Sequence, residues 1–181
     1  MADFRLETER LILRDWEDRD VEPFAEMCAD PLVMKTLGPL MSRDQTKALI
    51  DRLDVLSEEN GHTFWALERL EDGRFIGWCG IIRAAVNPIA YLPEVGWRLA
   101  SDTWGQGYAR EAAAASIKWA FDNLPDERVW AITSEGNHLS WGLMERLGMV
   151  RHPDMDFDHP HVADDSPLKR HVTYSIGRSQ S

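Results

Sequence analysis

The chain has 181 residues, of which 44% are hydrophobic and 28% are charged, and its formal net charge at pH 7 is −11. This length and composition predict a single globular domain over residues 1–181. The negative charge argues against nonspecific binding to nucleic acid, which depends on neutralising phosphates with Lys and Arg. No apolar run approaches the ~20 residues of a membrane span, and no signal-peptide pattern opens the chain, so we expect a cytoplasmic protein without membrane association.

Cysteine usage agrees with that expectation. Cys28 and Cys79 are too few to form a disulfide framework, and we expect both to be buried, reduced thiols.

The first half of the chain predicts two helices enclosed by strands. Ser42 is the predicted N-cap of the second helix, and the turn signal Glu71-Asp72-Gly73 separates the two strands of a hairpin. The second helix is predicted to bury one apolar face, formed by Ala48, Leu49, Leu53 and Leu56. The predicted elements are a strand over residues 6–14, helices over 20–27 and 42–59, and hairpin strands over 63–70 and 74–84.

The second half predicts strands and helices in alternation. Strands are expected at residues 94–99, 128–133 and 168–176, and an Ala-rich helix is expected to begin at Tyr108. A further helix is indicated by an apolar stripe at Leu139, Leu143 and Leu147, with Asn137 as its N-cap and Gly148 just past its end. The order of elements predicts an α+β fold with a mixed, partly parallel β-sheet.

A two-glycine turn, Trp104-Gly105-Gln106-Gly107, joins the strand at 94–99 to the Ala-rich helix. Glycines let the backbone approach a ligand, and the first N–H groups of a helix can bind a phosphate. A dinucleotide fingerprint would need a third glycine, where Arg110 stands, and a nucleotide-triphosphate loop would need a Lys followed by Ser or Thr. Both interpretations fail, and a tight connection without ligand remains the simpler alternative.

The same stretch resembles the acyl-CoA pyrophosphate loop of the GCN5-related N-acetyltransferases, the GNAT superfamily. In that family the loop follows the pattern Q/R-x-x-G-x-G/A. Gly107 and Ala109 occupy the last two specified positions of this pattern, and Trp104 stands where Gln or Arg is usual. The Trp-Gly-x-Gly-Tyr-Ala form and the N-terminal sequence LETERLILR are typical of the RimJ/RimL-like branch, the ribosomal-protein N-terminal acetyltransferases. The resemblance implies acetyl-CoA as cosubstrate, with no metal, and a cofactor site formed by Trp97, Leu99, Trp104, Gly105, Gly107, Tyr108, Ala109, Arg110 and Asn137.

The resemblance extends to a second motif, about 30 residues downstream. Asn137 and Ser140 match the N-x-x-S segment of the family. This implies that the Asn137 side chain contacts the pantetheine arm and that the Ser140 hydroxyl protonates the departing thiolate. Without the family pattern, Asn137 is a helix cap and Ser140 a surface hydroxyl.

The family fold implies a sheet that splays between the strands at 94–99 and 128–133, with helices on both faces. The backbone of Trp97 and Leu99 would pair with the pantetheine arm, and residues 20–60 would form one wall of the acceptor cleft. Glu94 is the candidate general base, with a solvated strand-edge carboxylate as the alternative, and Glu135 is a weaker candidate. The implied reaction is acetyl transfer to a primary amine, either a protein N-terminus or a small molecule. A noncatalytic acyl-CoA sensor is the alternative, and a homodimer is compatible with the family although no residue indicates one.

The tail carries four histidines and five aspartates between His152 and His171. Their spacing matches no zinc signature and Cys ligands are missing, so a metal site is not expected. We expect instead a loop that closes over the acceptor site, with Asp158 or His159 near the substrate.

Overall fold

The computed structural model describes residues 4–180, without the side chain of Gln180. Nine strands form one sheet in the order β1-β2-β3-β4-β5-β6-β9-β7, and β8 pairs with β9. The strands are β1 Arg5–Glu7, β2 Leu11–Arg14, β3 Phe64–Arg69, β4 Phe75–Arg83, β5 Pro93–Leu99, β6 Arg128–Ser134, β7 Val150–Arg151, β8 Phe157–Asp158 and β9 Arg170–Gly177. The α-helices are α1 Val21–Cys28, α2 Pro31–Met34, α3 Arg43–Asn60, α4 Tyr108–Asn123 and α5 His138–Arg146.

The sheet is antiparallel except between β5 and β6, which run parallel and share one register pair, Glu94 opposite Trp130. In contrast, β5 pairs with β4 along its whole length, from Pro93 opposite Arg83 to Leu99 opposite Gly77. Beyond Glu94 the two parallel strands therefore diverge, and the β6-facing edge of β5 is left without strand pairing. This is the splayed, mixed sheet that the sequence analysis predicts.

Helices cover both faces of the sheet. On one face, α4 packs on the central strands with a large core cluster that includes Trp65, Val95, Leu99, Ala112 and Ile117. On the other face, α1, α2 and α3 enclose a second cluster around Phe24, with Trp78 of β4 in its floor. The α+β fold class with helices on both faces is thus confirmed.

Three details of the predicted elements are wrong, the first being that Leu139, predicted to belong to the apolar stripe of α5, is 67% exposed. Residues 6–14 form two strands, because the chain reverses at Thr8, whose N–H donates to the Leu11 carbonyl at 2.9 Å. In α3, Ala48 is exposed, and Ile50 is buried together with Leu53.

Other predictions made from short stretches of sequence are confirmed. The Ser42 hydroxyl accepts from the Gln45 N–H at 3.2 Å and caps α3, and β3 and β4 form the predicted hairpin. Cys28 and Cys79 are free and buried, and burial raises the pKa of the Cys79 thiol to about 12. Within residues 4–180, no helix combines the length and apolar character that crossing a membrane requires.

Candidate active site

The turn before α4 presents an uninterrupted run of backbone N–H groups. Gly105 and Gly107 have φ of 73° and 84°, a left-handed conformation that glycine adopts without steric cost. Gly107 is the N-cap of α4 and offers no capping side chain. Every backbone N–H from Gly105 to Arg110 consequently lacks an acceptor within the described part of the chain. Such a run at the positive end of a helix is suited to bind phosphate oxygens.

Side-chain charge near this turn favours an anion as well. Arg110 is exposed and makes no ion pair with any described residue. The nearby carboxylate of Glu111 is already neutralised, because it accepts from Arg10 Nε and from the Thr8 hydroxyl, each at 2.7 Å. Arg10 also donates to the Gln106 carbonyl at 3.0 Å and thereby holds the turn against the β1–β2 reversal.

Trp104 fixes the turn to the end of β5. Its indole Nε1–H donates to the Leu99 carbonyl at 2.9 Å, while 36% of the residue remains exposed. The Leu99 carbonyl is thus already occupied, so of the two backbone groups of Leu99 the N–H is the one free to pair with a ligand.

The free edge of β5 follows from its pairing with β4. The Ala100 N–H donates to the Ile76 carbonyl at 2.9 Å, and neighbouring residues of an antiparallel strand alternate in direction. The backbone groups of Trp97 and Leu99 therefore point away from β4, toward the gap between β5 and β6. An extended, amide-bearing ligand could pair with this edge as an added strand.

Tyr108 and Ala109 occupy the first turn of α4. The Tyr108 ring is 7% exposed and belongs to the core, with the Arg10 guanidinium 4.5 Å above its centroid. Ala109 is half-buried against the same core. Their backbone N–H groups, rather than the Tyr108 ring, are therefore the parts available to a ligand.

Glu94 lies where the splay begins, and its carboxyl makes no hydrogen bond or ion pair with any described residue. Its side chain projects from the sheet face opposite α4 and keeps a small accessible fraction. Desolvation alone raises the pKa of this carboxyl to about 7. A lone carboxylate that titrates near neutral pH is suited to accept and release protons under physiological conditions. Glu135, by comparison, is exposed.

Asn137 and Ser140 meet at the start of α5. The Asn137 amide donates to Thr133 Oγ1 at 2.9 Å and to Ser140 Oγ at 3.0 Å, and its carbonyl accepts from the Ser140 N–H at 3.4 Å. Asn137 is 6% exposed, so its predicted role as N-cap is confirmed and both of its amide protons are engaged. Because Ser140 Oγ accepts one of them, its own proton is free to be donated.

Arg98 is a residue of this region that the sequence analysis missed. It shares one face of β5 with Glu94 and Gly96, the face toward α1 and α3, because alternate residues of a strand point the same way. Its Nη1 donates to Cys28 Sγ at 3.3 Å, and its guanidinium lies 5.5 Å from the Trp78 ring centroid. The available signal was an arginine between two apolar residues of this strand, Trp97 and Leu99.

The tail forms a short hairpin. Phe157 and Asp158 of β8 pair with His171 and Arg170 of β9. The His159 and His171 rings lie 4.8 Å apart, and burial lowers the pKa of both. In residues 4–180, no three His, Cys, Asp or Glu side chains converge on a point that could hold a metal ion.

Known proteins share this sequence pattern and fold. The family model of the acetyltransferase (GNAT) domain matches residues 10–150. The Bacillus subtilis (strain 168) protein YkkB is 32% identical over 149 residues, which cover 82% of this chain and 86% of YkkB. The crystal structure of an acetyltransferase from Agrobacterium tumefaciens strain C58 superposes with a TM-score of 0.79 at 26% identity and covers 98% of this chain and 96% of that one.

The RimJ/RimL-like branch is represented among structures of the same fold. RimL, a ribosomal L7/L12 alpha-N-protein acetyltransferase solved in complex with coenzyme A, superposes with a TM-score of 0.79 and covers 98% of this chain and 100% of that one. The two sequences are 12% identical, so this likeness concerns the fold. The family match and the splayed sheet together establish that the chain belongs to the GNAT acetyltransferase family.

Proposed function

We propose that this protein transfers the acetyl group of acetyl-CoA to a primary amine, with both substrates bound at once. The observation that carries the proposal is the run of unpartnered N–H groups from Gly105 to Arg110. It lies at one end of a strand whose other end holds the lone carboxylate of Glu94. The proposed phosphate site and the proposed base thus lie at opposite ends of β5.

The residues present fit acetyl-CoA. The N–H run and the Arg110 guanidinium match a pyrophosphate in charge and hydrogen bonding. The outward backbone groups of Trp97 and the Leu99 N–H match the amides of a pantetheine arm. Trp104 donates a hydrogen bond to the Leu99 carbonyl and thereby fixes the distance between the N–H run and the free edge of β5.

Acetyl-CoA, when bound, supplies a thioester carbonyl and a thiol leaving group. Glu94 takes the proton that the attacking amine must lose, directly or through one water. Ser140, whose oxygen is held by the Asn137 amide, donates its proton toward the sulfur. The splayed strands keep the two reacting groups together, which by itself lowers the barrier by several kcal/mol.

The acceptor is a protein N-terminus or a small-molecule amine. RimL is described as an alpha-N-protein acetyltransferase, and the RimJ/RimL-like motif Trp-Gly-x-Gly-Tyr-Ala supports the first choice. The wall formed by α1 to α3 and the opening beside Glu94 would receive the amine. A cytoplasmic location belongs to the same proposal, because acetyl-CoA is the donor and both cysteines are free.

Ligand-dependent melting tests the binding part of this proposal. At about 100 times Kd, acetyl-CoA or CoA should stabilise the protein by about 2.7 kcal/mol and raise Tm by about 5–10 °C. ATP and NAD should have little effect at the same concentrations. Arg110→Ala should weaken CoA binding about tenfold, whereas Arg52→Ala, which removes an exposed arginine of α3, should not. A flat response to both CoA species would refute the proposal.

Turnover separates an enzyme from a noncatalytic acyl-CoA sensor. Release of CoA thiol is measured with acetyl-CoA and a panel of peptides and small amines, for the wild type and for Glu94→Gln. Binding of CoA without amine-dependent thiol release would support the sensor. Amine-dependent release that Glu94→Gln reduces at unchanged CoA affinity would support the transferase.

A further inference from the structure

An unpaired guanidinium lies on the acceptor side of β5. Arg98 is half-buried, and it makes no ion pair within 4.0 Å with any carboxylate of residues 4–180. Its Nε is buried and has no hydrogen-bond partner, and its Nη1 has only the weak acceptor Cys28 Sγ at 3.3 Å. Arginine cannot shed its charge by deprotonation in a protein. A cation held this way lacks the strong acceptors that its donors call for.

The surroundings of Arg98 leave it beside the opening of the sheet. It stands near the end of β5, after the strand has diverged from β6 at Glu94. Phe64 and Trp78 stack at a centroid distance of 4.4 Å. The position where a Gly96 side chain would begin is 2.8 Å from Phe64 Cζ, so these rings cover Gly96. An aromatic floor therefore separates a lone carboxylate, Glu94, from a lone cation, Arg98.

The spacing of these two charges defines the ligand that would match them. The Cα atoms of Glu94 and Arg98 are about 13 Å apart along one face of the strand. Glu94 is the proposed base for the amine. A planar guanidinium binds a carboxylate through two parallel hydrogen bonds, a geometry that no amine or amide reproduces.

We propose that Arg98 binds a carboxylate of the acceptor, so that the substrate is an amine that also carries an acid, such as an amino acid or a short peptide. This inference rests on the proposed function and adds the acceptor class to it. The chain as a whole carries a net charge of −11, which alone would favour a basic acceptor. The local cation selects the opposite charge at the distal end of the substrate.

Bisubstrate probes test this inference for acceptors of different lengths, because they carry the acid on a spacer that can be varied. The probes are CoA thioethers in which the sulfur carries CH2–CO–NH–(CH2)n–COO⁻ with n from 1 to 10, each matched by its carboxamide, so that the longest spacers span the separation between Glu94 and Arg98. Calorimetric affinities are compared between the two members of each pair. For at least one spacer length, the wild type should bind the carboxylate at least tenfold more tightly than the carboxamide.

Three variants assign the preference to Arg98. Arg98→Met keeps the apolar stem and should bind both members of a pair equally, with the affinity for CoA itself unchanged. Arg98→Lys keeps the positive charge but cannot form two parallel hydrogen bonds to a carboxylate, so it should retain part of the preference for the carboxylate probe. Cys28→Ala removes the thiol contact to Arg98 and should retain the full preference for the carboxylate probe.

Two results would overturn the inference alone. One is equal wild-type affinity for carboxylate and carboxamide at every spacer length. The other is that Arg98→Met lowers the affinity for the carboxylate probe, the carboxamide probe and CoA to the same extent. The guanidinium would then serve the fold or the binding of the CoA moiety. Failure of the wild type to bind CoA would instead overturn the proposed function and this inference with it.

Discussion

Glu94 and Trp130 form the single register pair between the two parallel strands β5 and β6 in the described chain. The strands are joined at this pair and diverge toward their carboxyl ends. The backbone of Glu94 therefore stands at the closed end of the gap, and burial of its side chain raises the pKa of the carboxyl to about 7. The residue at which the sheet begins to open is thus also the proposed base.

The raised pKa of Glu94 predicts how the rate depends on pH. A general base works only when it is deprotonated, so kcat/KM should increase about tenfold per pH unit below pH 7 and level off above it. Glu94→Gln should lower kcat by about 10²–10⁴-fold and remove this inflection. Glu135→Gln, which changes an exposed carboxylate, should keep the wild-type kcat and the inflection near pH 7. An inflection that persists in Glu94→Gln would assign the base to another group.

The same group predicts a gain of stability when its charge is removed. In the folded state the pKa of Glu94 is about 7, against an ordinary value of 4.5. Between these values the folded state binds more protons than the unfolded state, so this group's contribution to stability falls as pH rises from about 4.5 to 7. At pH 8, Glu94→Gln should increase the free energy of unfolding by about 1–2 kcal/mol, below the ~3 kcal/mol that the full shift represents, because the side chain keeps some solvent contact.

Denaturant unfolding at two pH values measures this effect. At pH 4 the wild type and Glu94→Gln should unfold at the same denaturant concentration, since both side chains are neutral. A variant that is less stable than the wild type at pH 8 would contradict the burial of an unpaired charge.

Local signals account for what the sequence predicted well. Ser42 and Asn137 cap their helices because each places a side-chain oxygen within reach of an N–H three residues on. Glu71-Asp72-Gly73 specifies a hairpin because Gly73 adopts φ of 67°. Each of these features depends on a few consecutive residues.

Features that depend on tertiary placement were not predictable in the same way. The reversal at Thr8 carries no Gly or Pro, and Glu111 of α4 helps to hold it, more than 100 residues away. Arg98 is unpaired because α1 places a thiol against it rather than a carboxylate. The raised pKa of Glu94 likewise depends on burial of its side chain in the folded protein, which no pattern in β5 encodes.

Gly96 is predicted to be necessary for packing rather than for backbone conformation. A Cβ at this position would lie 2.8 Å from Phe64 Cζ, and the Phe64 ring is stacked on Trp78. Gly96→Ala should therefore lower the free energy of unfolding by about 1–3 kcal/mol. Adding Phe64→Leu should recover part of that loss in chemical denaturation. Gly136→Ala is the matched control, because nothing lies within 4 Å of its Cβ position.

Trp104 is predicted to affect the binding of acetyl-CoA more than the chemical step. Trp104→Phe removes the indole bond to the Leu99 carbonyl and loosens the turn that presents the N–H run. The KM for acetyl-CoA should rise about three- to tenfold at nearly constant kcat, the value of one hydrogen bond. Trp141→Phe loses a similar bond to the Glu135 carbonyl, at 3.1 Å, and should leave that KM unchanged. A fall in kcat without a change in KM would contradict this role.

Glu111 is predicted to stabilise the protein through its contacts with the β1–β2 reversal. Desolvation opposes ionisation of this carboxyl, but hydrogen bonds from Thr8 and Arg10 outweigh it and lower the pKa. Glu111→Gln should cost about 1–2 kcal/mol at pH 7, because the Glu111 side chain is 17% exposed in its ion pair with Arg10. Asp122→Asn should cost less than about 0.5 kcal/mol, since the side chains of Lys118 and Asp122 are 76% and 58% exposed.

The pH dependence of the Glu111 effect has a defined sign. Because the folded-state pKa lies below its ordinary value of 4.5, the ionised group contributes stability above that value and loses it as pH falls. The difference in unfolding free energy between wild type and Glu111→Gln should therefore be full at pH 7 and shrink progressively below about pH 4.5. A difference that stays constant down to pH 3 would show that Glu111 acts through packing rather than through its charge.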